Sequence, residues 1–370
     1  MTGEAPFTSA MFLAILSGIL ITLAAGFAAI KVSFRIGLVD VPDSAPHKKH
    51  KYITPLAGGI TLMLALVALT LLFNLWEYAW WLGICVAAAV IFGFGLWDDL
   101  RMLPAWVKLI GQIAAGVILI VSGTSISMME KLGAGILPSV VLGWIDYGIT
   151  IFWVVMITNA FNLVDSMDGL VAGLTSSAFA AFMLAAVDSR QMELAGVCAL
   201  LFGVCFGLNF LNAPPARLFL GDSGAQTLGF ILAVVAILYN PLDRLQSSSW
   251  FMPILLVAVP LFDTALVTFS RLRRRQKFYK AGRDHSFHRL VALGLDSNRA
   301  VMLMNLVAIL LESLAFVTVM LPSVWANVVF FAALGIGLIA LLWLDQSKVR
   351  AALGIIPGQT PTVRPSDGAE

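Results

Sequence analysis

Residues 79–99 read AWWLGICVAAAVIFGFGLWDD, a run that carries no charge from Ala79 to Leu96 and then ends in Asp98-Asp99. A helix needs about 20 apolar residues to cross the hydrocarbon core of a bilayer. The stretch therefore reads as a membrane span with two carboxylates at its foot. Ten further runs of the same kind lie around it. The full set is Ala10–Ile30, Thr54–Phe73, Ala79–Leu96, Ala105–Val121, Val140–Ile157, Leu170–Val187, Leu194–Phe210, Ala225–Tyr239, Trp250–Phe269, Ala300–Leu321 and Val324–Leu344. The expected fold is all-α, a polytopic bundle of about 11 transmembrane helices. The short alternating strands of a membrane barrel are missing.

Composition agrees. The chain is 60% hydrophobic and 12% charged, against about a quarter charged in soluble domains. So few charges cannot cover a water-facing exterior. The net charge of +2 gives no reason to expect nucleic acid as a partner. Cys85, Cys198 and Cys205 sit in apolar runs without metal-ligand spacing and read as small buried hydrophobes. Met1 to Ala10 has no Lys or Arg, and the first apolar run is followed by Lys31 and Arg35. It reads as a retained span rather than a cleaved signal. Residues 1–345 form one expected domain, without internal repeat. The Pro-, Gly-, Ser- and Thr-containing segment 346–370 reads as a disordered cytoplasmic tail.

Of the 23 Lys and Arg residues, all but Lys131, Arg190 and Arg244 fall in or beside the odd-numbered connections and the tail. The positive-inside rule puts those connections in the cytoplasm, the N-terminus outside and the C-terminus inside. The polar clusters fall on the same connections: Asp98-Asp99 after span 3, Asn159 to Gly169 after span 5, Asn212 to Gly224 after span 7, and Arg283 to Arg289 after span 9. Asp98, Asp99, Asp165, Asp168 and Asp222 at one face would raise one another's pKa unless a cation neutralised them. A hard divalent cation bound by carboxylates and substrate phosphates meets that need. The pattern suits phosphoryl transfer, where positioning and charge neutralisation do most of the work.

Each cluster also has a plainer reading. An Asp-Asp pair is often a solvated helix cap, and an Asn/Asp-rich stretch is often a turn. Lys48-Lys49-His50-Lys51 could simply anchor the positive side, and Arg271 to Arg275 reads as an anchor to anionic headgroups. The coincidence of all of them on one face favours the functional reading. Asp263 and Glu312 lie inside spans, where a carboxylate is costly; a structural pairing within the bundle is expected for them.

The motifs, in order, are His50-Lys51 with Pro55-Leu-Ala-Gly58-Gly59, then Asp98-Asp99, Asn159 to Gly169, Asn212 to Gly224, and Arg283 to Leu290. In this the chain resembles the bacterial polyprenyl-phosphate N-acetylhexosamine-1-phosphate transferases, in particular their undecaprenyl-phosphate N-acetylglucosamine-1-phosphate branch. That superfamily also holds the phospho-N-acetylmuramoyl-pentapeptide transferases. The resemblance runs from about Gly37 to Arg299. It implies Asp222 as the ligand of Mg²⁺, with Mn²⁺ as the alternative ion. Asp98 and Asp99 would stand beside the lipid phosphate, Asp98 as the candidate base. Lys51 would contact phosphate, Asn212 would line the nucleotide diphosphate pocket, and Phe219 would stack on uracil. Asn159, Asn162, Asp165 and Asp168 would line the nucleotide site, with His285, His288 and Arg289 facing the sugar phosphate. One departure stands out: Phe287 occupies the place of a His usual in the fifth motif.

The resemblance implies transfer of N-acetylhexosamine-1-phosphate, expected to be GlcNAc-1-phosphate, from a UDP-sugar to undecaprenyl phosphate. This would be a membrane step of cell wall, lipopolysaccharide or teichoic acid biosynthesis. It implies a multi-pass protein of the bacterial inner membrane, active on the cytoplasmic face and able to form a homodimer. Two rivals are weaker. Asp165-x-x-Asp168-Gly169 begins the motif of CDP-alcohol phosphatidyltransferases, but Ala172-Gly173 replaces the expected Ala-Arg and no second Asp pair follows. A transporter would carry its polar site near the midplane on broken helices, not at one membrane end.

Overall fold

The computed structural model describes residues 4–42, 52–133, 135–241, 251–276, 282 and 284–346. His47, Lys48, Lys49, His50, Lys51, Arg283 and the tail lie outside the described residues. The chain runs through α1 (Glu4–Ile36), a two-residue pair β1 (Val39–Asp40) and β2 (Thr54–Pro55), α2 (Gly58–Leu72), α3 (Ala79–Leu100), α4 (Ala105–Val121) and the short α5 (Met128–Leu132). It continues through α6 (Ser139–Val164), α7 (Leu170–Asp188), α8 (Met192–Asn212), α9 (Gly221–Leu238), α10 (Phe251–Leu256), α11 (Ala258–Arg273), α12 (Ser286–Ala292), α13 (Ser297–Met320) and α14 (Ser323–Leu344).

Every expected span corresponds to helix, but not every helix is a full span. Eight are long and apolar enough to cross a bilayer: α1, α3, α6, α7, α8, α9, α13 and α14. The apolar α2 and α4 have 15 and 17 residues. The expected ninth span is divided at Val257, between α10 and α11. Pro260 falls in the first turn of α11, where its missing N–H has no intrahelical partner to lose. The protein is a multi-pass membrane helix bundle.

Burial ranks the helices. In the spanning window of α9, 78% of residues are buried, against 17% in α14. A helix apolar on every side belongs in the core, and α9 is that core helix, flanked by α2, α3 and α6. Close approach depends on small residues, as expected where lipid supplies no hydrophobic drive between helices. A Cβ on Gly95 of α3 would lie 2.5 Å from the Cα of Ser223, and one on Gly58 of α2 would lie 2.5 Å from the Cα of Leu220. The helices that carry the polar motifs are thus held almost backbone to backbone.

Two boundaries correct the sequence reading. Asp98-Asp99 belongs to the last turn of α3, and Asp222-Ser223-Gly224 to the first turn of α9. Both were expected in connections. The reason is mutual capping, described next.

Candidate active site

The helix α9 starts at Gly221, whose φ of +68° is open to glycine and strained for other residues. The first N–H groups of a helix have no intrahelical acceptor. Here Asp99 of α3 supplies one. Its Oδ1 accepts from the backbone N–H of Asp222 at 2.7 Å. Its Oδ2 accepts from the N–H of Ser223 at 3.1 Å and from the Ser223 hydroxyl at 2.5 Å. A carboxylate at this positive end of the helix dipole is favourable. Asp99, expected as a catalytic residue beside the lipid phosphate, has both oxygens engaged in fixing the start of α9.

That cap sets Asp222 next to Asp98. Lys108 of α4 places its ammonium 2.5 Å from Asp98 Oδ2 and 2.5 Å from Asp222 Oδ2. Asp98 Oδ1 also accepts from the N–H of Leu103 at 2.6 Å, which folds the connection from α3 to α4. Asp222 Oδ2 accepts in addition from Asn162 Nδ2 at 3.2 Å and Gln226 Nε2 at 3.3 Å. Behind it, Gln112 donates to Gln226 Oε1 and pairs with Asn159, whose Nδ2 donates to Gln112 Oε1 at 2.6 Å. Asn159 therefore supports the site through Gln112, while Asn162 reaches it directly. The ends of α3, α4, α6 and α9 meet in one cluster.

Asp165 and Asp168 follow α6 and are half-buried. Asp165 has its pKa pushed well above the usual carboxylate range, first by burial and then by the negative charges of Asp222, Asp99 and Asp168. Lys108 brings one positive charge to two carboxylates, Asp98 and Asp222. The donor set therefore suits a small hard cation. Among the described residues no three His, Cys, Asp or Glu side chains form a metal cage. Mg²⁺ needs none, since it is commonly held by one or two carboxylates with water and substrate phosphate. Asp222 and Asp98 could hold it.

Asn212 and Phe219 shape the neighbouring loop. Asn212 is 3% exposed; its Oδ1 accepts from the N–H of Gly169 and its Nδ2 donates to the carbonyl of Leu218. It was expected in a nucleotide pocket, and its amide is instead committed to joining the turn after α6 to the loop after α8. Phe219 pairs with Leu56 in a parallel bridge, its N–H donating to the Pro55 carbonyl and its carbonyl accepting from the N–H of Gly58. The half-buried ring of Phe219 is thereby fixed by backbone bonds.

The fifth motif forms a second polar group. His285 precedes α12 and its Nδ1 lies 2.7 Å from Asp263 Oδ2. The half-buried His288 packs its ring on Phe287 at a centroid distance of 3.9 Å. Arg289 corrects the expectation that it faces a sugar phosphate. It is 0% exposed and donates to the carbonyls of Asp284 and Leu344 and to Asp345 Oδ1. It ties α12 to the end of α14, and burial lowers its pKa despite Asp345. Asp284 beside it is bonded by Arg271 at 2.7 Å and Arg274 at 2.7 Å. Burial alone would raise the Asp284 pKa; the two guanidiniums, Arg271 foremost, hold it below the usual range. The residues that carry the two structural carboxylates also emerge: Asp263 pairs with His285, and Glu312 accepts from the Ser177 hydroxyl at 2.8 Å.

Lys108, Gln112 and Gln226 escaped the sequence reading. Lys108 stands ten residues after Asp98 and nine after Asp99, inside no polar run; its one signal was a Lys near the start of an apolar helix, which reads equally as a membrane anchor.

Fold and site together define a multi-pass membrane protein with an acidic, Lys-bridged pole suited to phosphate chemistry. Residues 81–240 match the model of glycosyl transferase family 4. The chain is similar to the probable undecaprenyl-phosphate N-acetylglucosaminyl 1-phosphate transferase of Bacillus subtilis, 27% identical over 80% of this chain and 81% of that protein. It is similar to the undecaprenyl-phosphate alpha-N-acetylglucosaminyl 1-phosphate transferase of Yersinia pestis, 29% identical over 80% of this chain and 81% of that protein. It also resembles the phospho-N-acetylmuramoyl-pentapeptide-transferase of Lacticaseibacillus paracasei, 32% identical over 52% of this chain and 64% of that one. The protein is an enzyme of this transferase class.

Proposed function

We propose that the protein transfers N-acetylglucosamine-1-phosphate from UDP-N-acetylglucosamine to undecaprenyl phosphate at the cytoplasmic face of a bacterial inner membrane. An oxygen of the lipid phosphate attacks the β-phosphorus of the donor. The bond from that phosphorus to the bridging oxygen breaks, UMP leaves, and a lipid-linked sugar diphosphate remains. A phosphate monoester with a second pKa near 6 is already mostly ionised at neutral pH, so the acceptor needs little help in losing a proton. The task of the site is to bring two anions together.

The observation that carries this reading is one ammonium, Lys108, shared at 2.5 Å by Asp98 and Asp222 from two other helices. Asp222 and Asp98 would hold Mg²⁺, whose chemistry is charge neutralisation of the diphosphate. Lys108 orients the two carboxylates and adds positive charge where the phosphates meet. Asn162 fixes the free rotation of Asp222, and Asp165 and Asp168 border the nucleotide side. Lys51, on the resemblance alone, adds a second phosphate contact. The similarity to named transferases over four-fifths of the chain favours this reading over a transporter. Purified protein incubated with undecaprenyl phosphate, Mg²⁺ and a panel of UDP-sugars tests it. UMP release with UDP-N-acetylglucosamine is expected; release with none of the panel would refute the proposal.

A further inference from the structure

Asp263 is 0% exposed and lies on α11. A carboxylate taken out of water is costly unless it is paired and hydrogen-bonded. Its Oδ1 accepts from the N–H of Ser286 at 2.6 Å, at the first turn of α12, and its Oδ2 meets His285 Nδ1 at 2.7 Å. An ionised carboxylate only accepts hydrogen bonds. With Asp263 ionised both of these contacts need donors, which places a proton of His285 on Nδ1. That leaves Nε2 as the nitrogen through which His285 can meet a substrate.

We infer that Asp263 is a positioning residue for the transfer reaction: it fixes the ring and tautomer of His285 so that Nε2 meets the sugar-phosphate donor. The inference rests on the transferase reading above. It gives the buried carboxylate a use beyond holding two helices together, and it resembles the way a buried carboxylate orients an imidazole elsewhere in catalysis. Of the other charged groups around His285, Asp284 pairs with Arg271 and Arg274, and Arg289 pairs with Asp345 through Nη1 while its Nη2 has no partner among the described residues. His288 lies 6.3 Å away, ring centre to ring centre.

Asp263→Asn separates positioning from simple clasping. Asn keeps one acceptor oxygen for the Ser286 N–H, so α12 stays capped. Its amide NH₂ then faces Nδ1 and forces the proton to Nε2. The protein has four histidines, so ¹⁵N-histidine NMR of the full chain in detergent resolves their tautomers, with His285→Gln to assign the signal. Wild type is expected to carry the Nδ1 proton on His285, and Asp263→Asn to carry it on Nε2. In the turnover assay Asp263→Asn should lower kcat at least tenfold with donor KM changed less than threefold. The double variant with His285→Gln should lose no more than His285→Gln alone, since the two act as one unit. An unchanged tautomer, an unchanged kcat, or additive losses in the double variant would overturn the inference. A wild type without turnover would instead sink the transferase reading, while the NMR result would still decide the tautomer.

Discussion

Lys108 sits 2.5 Å from Asp98 and 2.5 Å from Asp222, and a neutral side chain there would leave the two carboxylates facing one another. Like charges at that range disfavour ionisation. Lys108→Met should therefore lower kcat by about 10²-fold or more, the usual cost of losing one group that stabilises a transition-state charge. Radiolabelled lipid product per minute measures it. Asp284 gives a second prediction. Burial would raise its pKa, but the Arg271 and Arg274 guanidiniums hold its carboxyl below the usual carboxylate range. A depressed carboxylate pKa stabilises the folded form above the unfolded pKa and loses that contribution as pH falls through the folded value. Asp284→Asn should cost about 3–5 kcal/mol at pH 7, the typical loss on breaking a buried pair. The gap to wild type in thermal unfolding should narrow as pH drops below about 4. At this scale the acidic site residues were legible, because carboxylates are rare in an apolar chain. Lys108 was not, since a lone Lys at a helix start has an ordinary anchoring explanation. Arg289 misled for a similar reason: sequence shows a charge beside two histidines but not that it points into the bundle.

Among the helices, α9 decides the geometry. Its start is fixed by Asp99 and by the glycines that let α2 and α3 approach it. A leucine at Gly95 would drive its side chain into the backbone of Ser223, whereas Gly93 of the same helix has open space where a Cβ would go. Gly95→Leu should abolish activity and lower the unfolding temperature, with overpacking costs of about 1–3 kcal/mol or more. Gly93→Leu should stay close to wild type in both. If the two behave alike, close packing of α3 on α9 does not control the site. The existence and rough length of most helices could be read from apolar runs alone. The ends could not, because they are set by caps from other helices, as Asp99 sets Gly221. The break at Val257 falls three residues before Pro260, which has no N–H for the carbonyl of Leu256 and whose ring crowds it.

For the molecule as a whole, the polar motifs share one end of the bundle, and we propose that this end faces the cytoplasm. Met102, 98% exposed, lies at that end, and Ile136, 79% exposed, lies in the connection before α6 at the other. In a background without Cys85, Cys198 and Cys205, a cysteine at 102 should be labelled by an impermeant maleimide only in inside-out vesicles. A cysteine at 136 should be labelled only in intact cells. The reverse pattern would put the acidic pole outside, away from any cytoplasmic nucleotide sugar. The proposed sidedness comes from the uneven distribution of Lys and Arg; the number of full spans was not legible, since 15- and 17-residue helices look in sequence like slightly longer ones. The central claim is that Asp222 and its neighbours neutralise a phosphate transfer with a divalent cation. Its most direct measurement is lipid-linked sugar formed from UDP-N-acetylglucosamine and undecaprenyl phosphate by metal-stripped protein, as Mg²⁺ is added back, for wild type and Asp222→Asn. Wild type should recover turnover with a saturable Mg²⁺ dependence, and Asp222→Asn should stay at background throughout. Full turnover without divalent cation, or wild-type rates in Asp222→Asn, would contradict it.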